Sequence, residues 1–176
     1  MKIIAFAATS SRESINKQLV TYACSLIDGA DVEVLDINDY EMPLFSTDRE
    51  KELGQPAEAR AFYEKLGSAD AIVISFAEHN GSYTAAYKNL FDWTSRVDMK
   101  LFQNTPVVVL ATSPGPGGAK NVLATAVGAI PHFGGSVIGD FSLPSFFDNF
   151  DMDQGKVKDE TLNTALVELM AKVQSN

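Results

Sequence analysis

The sequence predicts an α/β protein: one doubly wound, five-stranded parallel sheet with helices on both faces. Three observations predict it. Short apolar runs rich in β-branched residues, at 3–8, 72–74 and 106–111, read as strands buried on both faces. Segments of helical periodicity alternate with those runs along the chain. No linker, internal repeat or low-complexity stretch interrupts the 176 residues, so a single domain over 1–176 is expected.

Ile3 to Ala8 is the first strand, and Thr9-Ser10-Ser11-Arg12-Glu13-Ser14 a hydroxyl-rich turn. A helix is expected from Ile15 to Ile27, with Ile15, Leu19, Tyr22, Ala23 and Leu26 on one face. Val32 to Ile37 is the second strand, and Glu33 and Asp36 within it indicate a sheet edge. From Asn38 to Gln55 the chain is polar around Met42-Pro43-Leu44, which predicts a long loop packed by its own apolar tip. Pro56 suits the first turn of a helix whose buried stripe is Ala59, Phe62 and Leu66. Ile72-Val73-Ile74 is the third strand. It is followed by the loop Glu78-His79-Asn80-Gly81-Ser82 and by a helix from near Thr84 carrying Ala86, Leu90, Trp93 and Val97. Pro106 to Ala111 is the fourth strand, with proline at its start. The loop from Thr112 to Gly118 leads to a helix from Ala119 to Ile130 that is apolar or small almost all round, ended by Gly134-Gly135. Val137 to Leu143 is the fifth strand, and the last helix carries Leu162, Leu166, Leu169 and Val173.

Composition narrows the function classes. Hydrophobic residues make up 45% and charged residues 21%, as in ordinary globular chains. The net charge of -9 is dispersed, which favours solubility and disfavours nucleic acid or an anionic membrane surface as partner. One cysteine, Cys24, excludes an internal disulfide and a CxxC pair; within a helix it reads as a packed small hydrophobe. No apolar run is long enough for membrane insertion, and Met1-Lys2 passes directly into a strand, so a cytoplasmic protein is expected. Asn149, Asp151, Asp153 and Glu160 fall at calcium-loop positions, but Gln154 stands where glycine is required and no helix is expected before them. A solvated turn is the better reading there, and no metal is expected.

The loops after strands one, three and four carry the chemistry. In the flavodoxin-like order 2-1-3-4-5 those strand ends are neighbours around the point where the winding reverses, and ligands bind there in such sheets. In the first loop Ser10, Ser11 and Ser14 offer hydroxyls, Asn16 an amide and Arg12 a charge, all at a helix N-terminus. That set reads either as a phosphate site or as a plain N-cap. No glycine lies between Met1 and Asp28, and Gly115 to Gly118 lacks GxGxxG spacing, so a dinucleotide fingerprint is absent, as is a Walker loop. The loops AEHNGSY and SPGPGG would hold the planar part of a ligand, or be ordinary turns. Gly81 would let the backbone approach a flat ring, with Asn80 tolerating the turn. His79 is read as a pocket wall, His132 as structural or surface. A receiver domain would need acidic residues after strand one, where this chain has threonine and serine.

EHNGSYTAAYKNLFDWTSR is similar to P-E-Y-N-G-S-x-x-x-x-L-K-N-x-x-D-W-x-S-R, with Ala77 and His79 standing where that pattern has proline and tyrosine. Through this motif and the flanking loops, over nearly its whole length, the chain resembles the NAD(P)H-dependent FMN reductase family. These are flavodoxin-like proteins that include quinone, azo-dye and chromate reductases. The resemblance implies that Ser10, Arg12, Ser14, Ile15 and Asn16 surround the FMN phosphate, that Glu78, His79, Asn80 and Gly81 edge the isoalloxazine ring, and that Ser113, Gly115 and Gly118 line its other margin. It implies hydride passage from NADPH or NADH to the flavin and on to a flavin, quinone, azo compound or metal ion. The flavin carries that chemistry, so no catalytic side chain is expected. Two other readings stay open: a flavodoxin-type electron carrier without nicotinamide oxidation, and a flavin-free interaction module. A homodimer or tetramer is expected from the family, and from a second apolar stripe, Tyr83, Tyr87 and Phe91, beside Ala86, Leu90 and Trp93.

Overall fold

The computed structural model describes residues 1–174. The chain runs β1 (Lys2–Ala8), α1 (Ile15–Ser25), β2 (Asp31–Leu35), α2 (Thr47–Leu53), α3 (Ala57–Gly67), β3 (Ala71–Phe76), α4 (Ala85–Val97), β4 (Pro106–Thr112), α5 (Lys120–Ala129) and β5 (Ser136–Leu143). After β5 come the single turn α6 (Phe146–Asn149), a small hairpin of β6 (Phe150–Asp151) and β7 (Lys156–Val157), and α7 (Glu160–Gln174). The main sheet is parallel throughout, in the order β2-β1-β3-β4-β5. This is the flavodoxin-like, doubly wound sheet that the alternating pattern predicts.

The period of two along β1 divides the core. Ile4 and Phe6 point into one cluster, with Phe62 of α3, Leu90 and Trp93 of α4, and Val122 and Ala126 of α5. Ile3 and Ala5 point into the other, with Leu19, Val20 and Ala23 of α1 and Leu166 and Met170 of α7. Central strands are therefore covered on both faces, which is why β3 has no exposed residue. Cys24 packs in the second cluster; burial pushes its thiol up to about 12, so it stays a neutral hydrophobe.

β2 is an edge strand, as its charges predict. Glu33 pairs with Lys65 and Lys2, while Asp36 lies past the strand end and accepts from the Asn38 N–H, starting a 3-10 turn over Ile37–Tyr40. The stretch from Asn38 to Gln55 is not one long loop. It holds that turn and α2, which Ser46 caps by accepting from the Arg49 N–H. α2 buries no residue, so no periodic stripe announces it. The apolar tip is held from outside. Asn89 donates to the Met42 and Pro43 carbonyls and accepts from the Phe45 N–H, and the Trp93 indole N–H donates to the Pro43 carbonyl at 2.7 Å. That clamp explains the Asn and Trp of the KNLFDW segment.

The second stripe on α4 is not left facing outward. Tyr87 is buried, packed edge-on against Phe76 and stacked near Phe6, while Tyr83 and Phe91 are half-buried around it. Phe6 of β1, Phe76 of β3 and Phe133 pack on what helical periodicity alone assigns to a partner.

Candidate functional site

The carboxyl ends of β1, β3 and β4 lie side by side, and their loops enclose a cleft of about 270 Å³. The winding reverses between β1 and β3, and this is the edge at which open α/β sheets take ligands.

The first wall is the N-terminus of α1. Ser14 is its N-cap: the hydroxyl oxygen accepts from the Lys17 N–H at 3.3 Å, and the hydroxyl proton has no acceptor in the described chain. The N–H groups of Ile15 and Asn16 have no intrahelical acceptor, as at any helix start. Ser10, Ser11 and Arg12 are exposed, and their side chains make no hydrogen bond or ion pair among the described residues. Thr9, which sequence reasoning passed over, is buried and shapes the loop by accepting from the Ser11 N–H. Glu13, also in the cleft wall, is an exposed carboxylate.

Asn16 does something different from its neighbours. It is 2% exposed, and its carboxamide is turned into the sheet. Oδ1 accepts from the Ser75 hydroxyl at 2.8 Å and the Thr112 N–H at 3.1 Å, and Nδ2 donates to the Thr112 carbonyl at 3.2 Å. The amide thus pins α1 to β3 and β4 and leaves only its backbone N–H toward the cleft. Thr112, also absent from the sequence-based set, closes the same network by donating to the Leu143 carbonyl.

The second wall is a two-residue hairpin turn. His79 and Ser82 exchange both backbone hydrogen bonds, at 3.0 and 3.1 Å, around Asn80 and Gly81, whose φ angles are +52° and +76°. Asn-Gly is the dipeptide that such a turn demands. A Cβ on Gly81 would meet nothing within 4 Å, so its outer side is open. His79 is exposed and borders the cleft, and Tyr83 behind the turn is driven up to about 12 by burial, which keeps it neutral. Glu78 borders the cleft with its carboxylate already engaged. Oε2 accepts from the Val122 N–H at 2.9 Å and Oε1 from the Asn121 amide at 3.3 Å, at the start of α5.

The third wall is the loop after β4. Ser113 borders the cleft with Pro114; Gly115 is open on its Cα side. Gly118 is buried at φ +58°, and a Cβ there would lie 2.3 Å from the Ser142 hydroxyl and 3.1 Å from the Pro144 backbone. It faces the end of β5. Of the twelve sequence-based site residues, Ser14, Ile15, Asn16, Glu78, His79 and Ser113 line this cleft. Ser10 instead borders a second cleft of about 510 Å³ between the 3-10 turn and α4, so the first loop is the wall between the two. Arg12, Asn80, Gly81 and Gly115 lie on the three flanking loops without lining the cleft, and Gly118 is buried against Ser142 and Pro144. The described residues contain no cluster suited to a metal ion and no helix long and apolar enough to cross a membrane.

A doubly wound sheet of this order, with a hydroxyl-lined helix N-terminus and two flanking turns at its switch point, defines the flavodoxin-like class. The chain belongs to the NADPH-dependent FMN reductase family, whose model matches residues 1–148. It is 29% identical over 125 residues to an NADPH:quinone oxidoreductase of Arabidopsis thaliana, covering 69% of this chain and 62% of that protein. It is 36% identical over 81 residues to a quinone reductase of Escherichia coli (strain K12), covering 46% and 43%. The aligned segments thus span less than two thirds of these curated relatives. In fold it is similar to the flavoenzyme NAD(P)H:(acceptor) oxidoreductase FerB from Paracoccus denitrificans, with a TM-score of 0.75 and 22% identity over 99% of this chain and 97% of that one. An azoreductase from Bacillus anthracis gives a TM-score of 0.64 at 16% identity, covering 98% of each chain.

Proposed function

We propose that this chain is an FMN-carrying oxidoreductase that takes hydride from NADPH or NADH and delivers electrons to a small acceptor of the quinone class, with flavins, azo compounds and metal ions as further candidates. The observation that carries the reading is the first wall of the cleft. An O–H without an acceptor on Ser14, free N–H groups on Ile15 and Asn16, and the unpartnered side chains of Ser10, Ser11 and Arg12 form a donor set suited to a phosphate dianion. The other two walls suit a flat ring: the Asn80-Gly81 turn, open where a side chain would intrude, and the Ser113-to-Gly115 backbone opposite it. When bound there, FMN supplies the hydride and electron transfer.

The chain's own part is binding and orientation. The α1 N-terminus holds the phosphate end, with Arg12 adding charge from the rim. His79, Asn80 and Gly81 edge one side of the ring, while Ser113 and Gly115 line its other margin. Backbone N–H groups near the ring stabilise negative charge on the reduced flavin. The assembly is read as a homodimer or a dimer of dimers. In support, Leu44 is 71% exposed at the tip clamped by Asn89, and Leu53 and Met99 are exposed on segments flanking α4. A cytoplasmic location is proposed with it.

The deciding experiment is to load the chain with FMN and mix it anaerobically with NADPH and, separately, NADH. Loss of the oxidised-flavin absorbance within seconds is expected, followed by its return on adding a quinone. A chain that binds FMN but is not bleached by either nucleotide is an electron carrier, and one that fails to bind FMN overturns the proposal. Light scattering at micromolar concentration tests the assembly, and a strictly monomeric mass refutes it.

A further inference from the structure

We propose that Glu78 is a positioning residue whose carboxylate clasps the first turn of α5 and thereby sets the gap between the β3–α4 and β4–α5 loops. α5 starts abnormally. Its N-cap, Ala119, is left-handed at φ +59°, following Gly118 at φ +58°, and its methyl side chain offers no acceptor. A local Ser, Thr or Asp cap is therefore missing, and the exposed N–H groups need an acceptor from elsewhere. Glu78, 44 residues earlier in sequence, supplies it through Val122, and adds Asn121 with its second oxygen. An anion at the positive end of a helix is also favoured electrostatically.

Among the described residues these two hydrogen bonds are the only ones joining the β3–α4 loop to the β4–α5 loop or the first turn of α5. On its far side the β4–α5 loop is tied elsewhere: the Ser145 N–H donates to the Gly115 carbonyl and the Phe146 N–H to that of Ser113. On the near side, Glu78 is attached directly to the hairpin turn whose bridge is His79 with Ser82. The loop is thus held from both directions, and cutting the Glu78 clasp frees the side that faces the turn. A second consequence concerns charge. The carboxylate occupies the N-terminus of α5, so a ligand phosphate is directed to α1.

The inference takes its ligand from the proposed function, while the clasp itself is measurable without any ligand. Glu78→Ala, Glu78→Gln and Asp159→Ala are compared with the parent chain; Asp159 caps α7, away from the cleft, by accepting from the Leu162 N–H. In the apo chains, amide hydrogen exchange at Val122 and across 113–118 should accelerate in Glu78→Ala and in no other variant. Titrated with FMN and with riboflavin, Glu78→Ala should lose affinity for both by the same factor, at least about tenfold, because the ring gap and not the phosphate site is disturbed. Glu78→Gln should regain most of that loss, since its amide oxygen still accepts from Val122. Unchanged Val122 exchange in Glu78→Ala overturns the clasp. So does flavin affinity in Glu78→Ala no weaker than in Asp159→Ala. If the parent chain binds neither flavin, the functional proposal fails, and the exchange measurement alone then supports or overturns the clasp.

Discussion

Two helices of ordinary length, α1 and α5, begin at the same edge of the sheet, and their N-termini are finished in opposite ways. α1 carries its own serine cap and keeps a fringe of unpartnered donors, Ser10, Ser11 and Arg12, outside it. α5 has no cap of its own and is closed by a carboxylate sent over from the β3–α4 loop. The partial positive charge at a helix start is the same in kind for both. One is left available to an anion, and the other is already neutralised by the chain. Under the proposed function, that asymmetry would give the cleft a direction, with a phosphate end at α1 and a ring end between the turn and the capped loop.

The largest test attacks what roots α1. Asn16→Leu keeps the branched outline of the side chain but strands the Ser75 hydroxyl and both backbone groups of Thr112 in the core. Buried groups left without partners cost about 1–3 kcal/mol each, so a loss of about 3–5 kcal/mol is expected in urea melts of the apo chain. A loss below about 1 kcal/mol would mean that the network is dispensable. If Asn16 is a pin and not a ligand group, FMN binding measured well below the melting transition should change less than stability does.

Next come the two glycines of the ring end, which sharpen the contrast between a closed and an open wall. Gly118→Ala meets a positive φ, the Ser142 hydroxyl and the Pro144 backbone together, whereas Gly81→Ala meets the positive φ alone. Costs of about 2–4 kcal/mol for the first and about 1–2 kcal/mol for the second are expected, read as shifts in urea midpoint. Gly81→Val adds bulk on the open side. There it should lower FMN affinity well beyond the stability it loses, and a folded Gly81→Val that binds FMN like the parent would remove Gly81 from the site.

Much of this was legible in the sequence, for physical reasons that also explain the remainder. Strands buried on both faces announce themselves as β-branched runs, so the sheet, its order and its edge strand followed. α2 was invisible because TDREKEL buries nothing and is held by the Ser46 cap. Tyr87 was misassigned to the outer surface because periodicity gives a face but not its neighbours; Phe6 and Phe76 cover it. Within the cleft, residue types and the Asn-Gly turn could be read from local pattern. The directions of Asn16 and Glu78 could not, because their partners lie 96 and 44 residues further along the chain.

A smaller effect is expected from Arg12→Ala. The guanidinium is exposed and has no partner among the described residues, so its removal should leave the melt unchanged within about 0.5 kcal/mol. FMN affinity should fall about three- to tenfold while riboflavin affinity stays as it was, because only a phosphate end is disturbed. In the parent chain riboflavin should bind at least about tenfold more weakly than FMN. Equal affinities for the two flavins would mean that the α1 end is a plain cap.

Ser14→Ala is also expected to change stability little, and it divides the two readings of that end most finely. As a cap, Ser14 accepts from Lys17 at 3.3 Å, a long hydrogen bond, so its loss should cost only about 0.5–1 kcal/mol. That cost belongs to the apo chain and would be the same whether or not an anion ever binds. The hydroxyl proton is a separate matter. It has no acceptor in the described chain, and a phosphate at the α1 N-terminus would provide one without disturbing the bond from Lys17. FMN affinity should therefore fall by about tenfold, more than the small loss in stability would suggest, while riboflavin affinity should not change. Ser14→Thr keeps both the cap oxygen and the free proton and should restore FMN binding. If Ser14→Ala melts earlier yet binds both flavins as the parent does, the serine is a helix cap and nothing more, and the phosphate must be held by backbone N–H groups and the side chains of Ser10, Ser11 and Arg12.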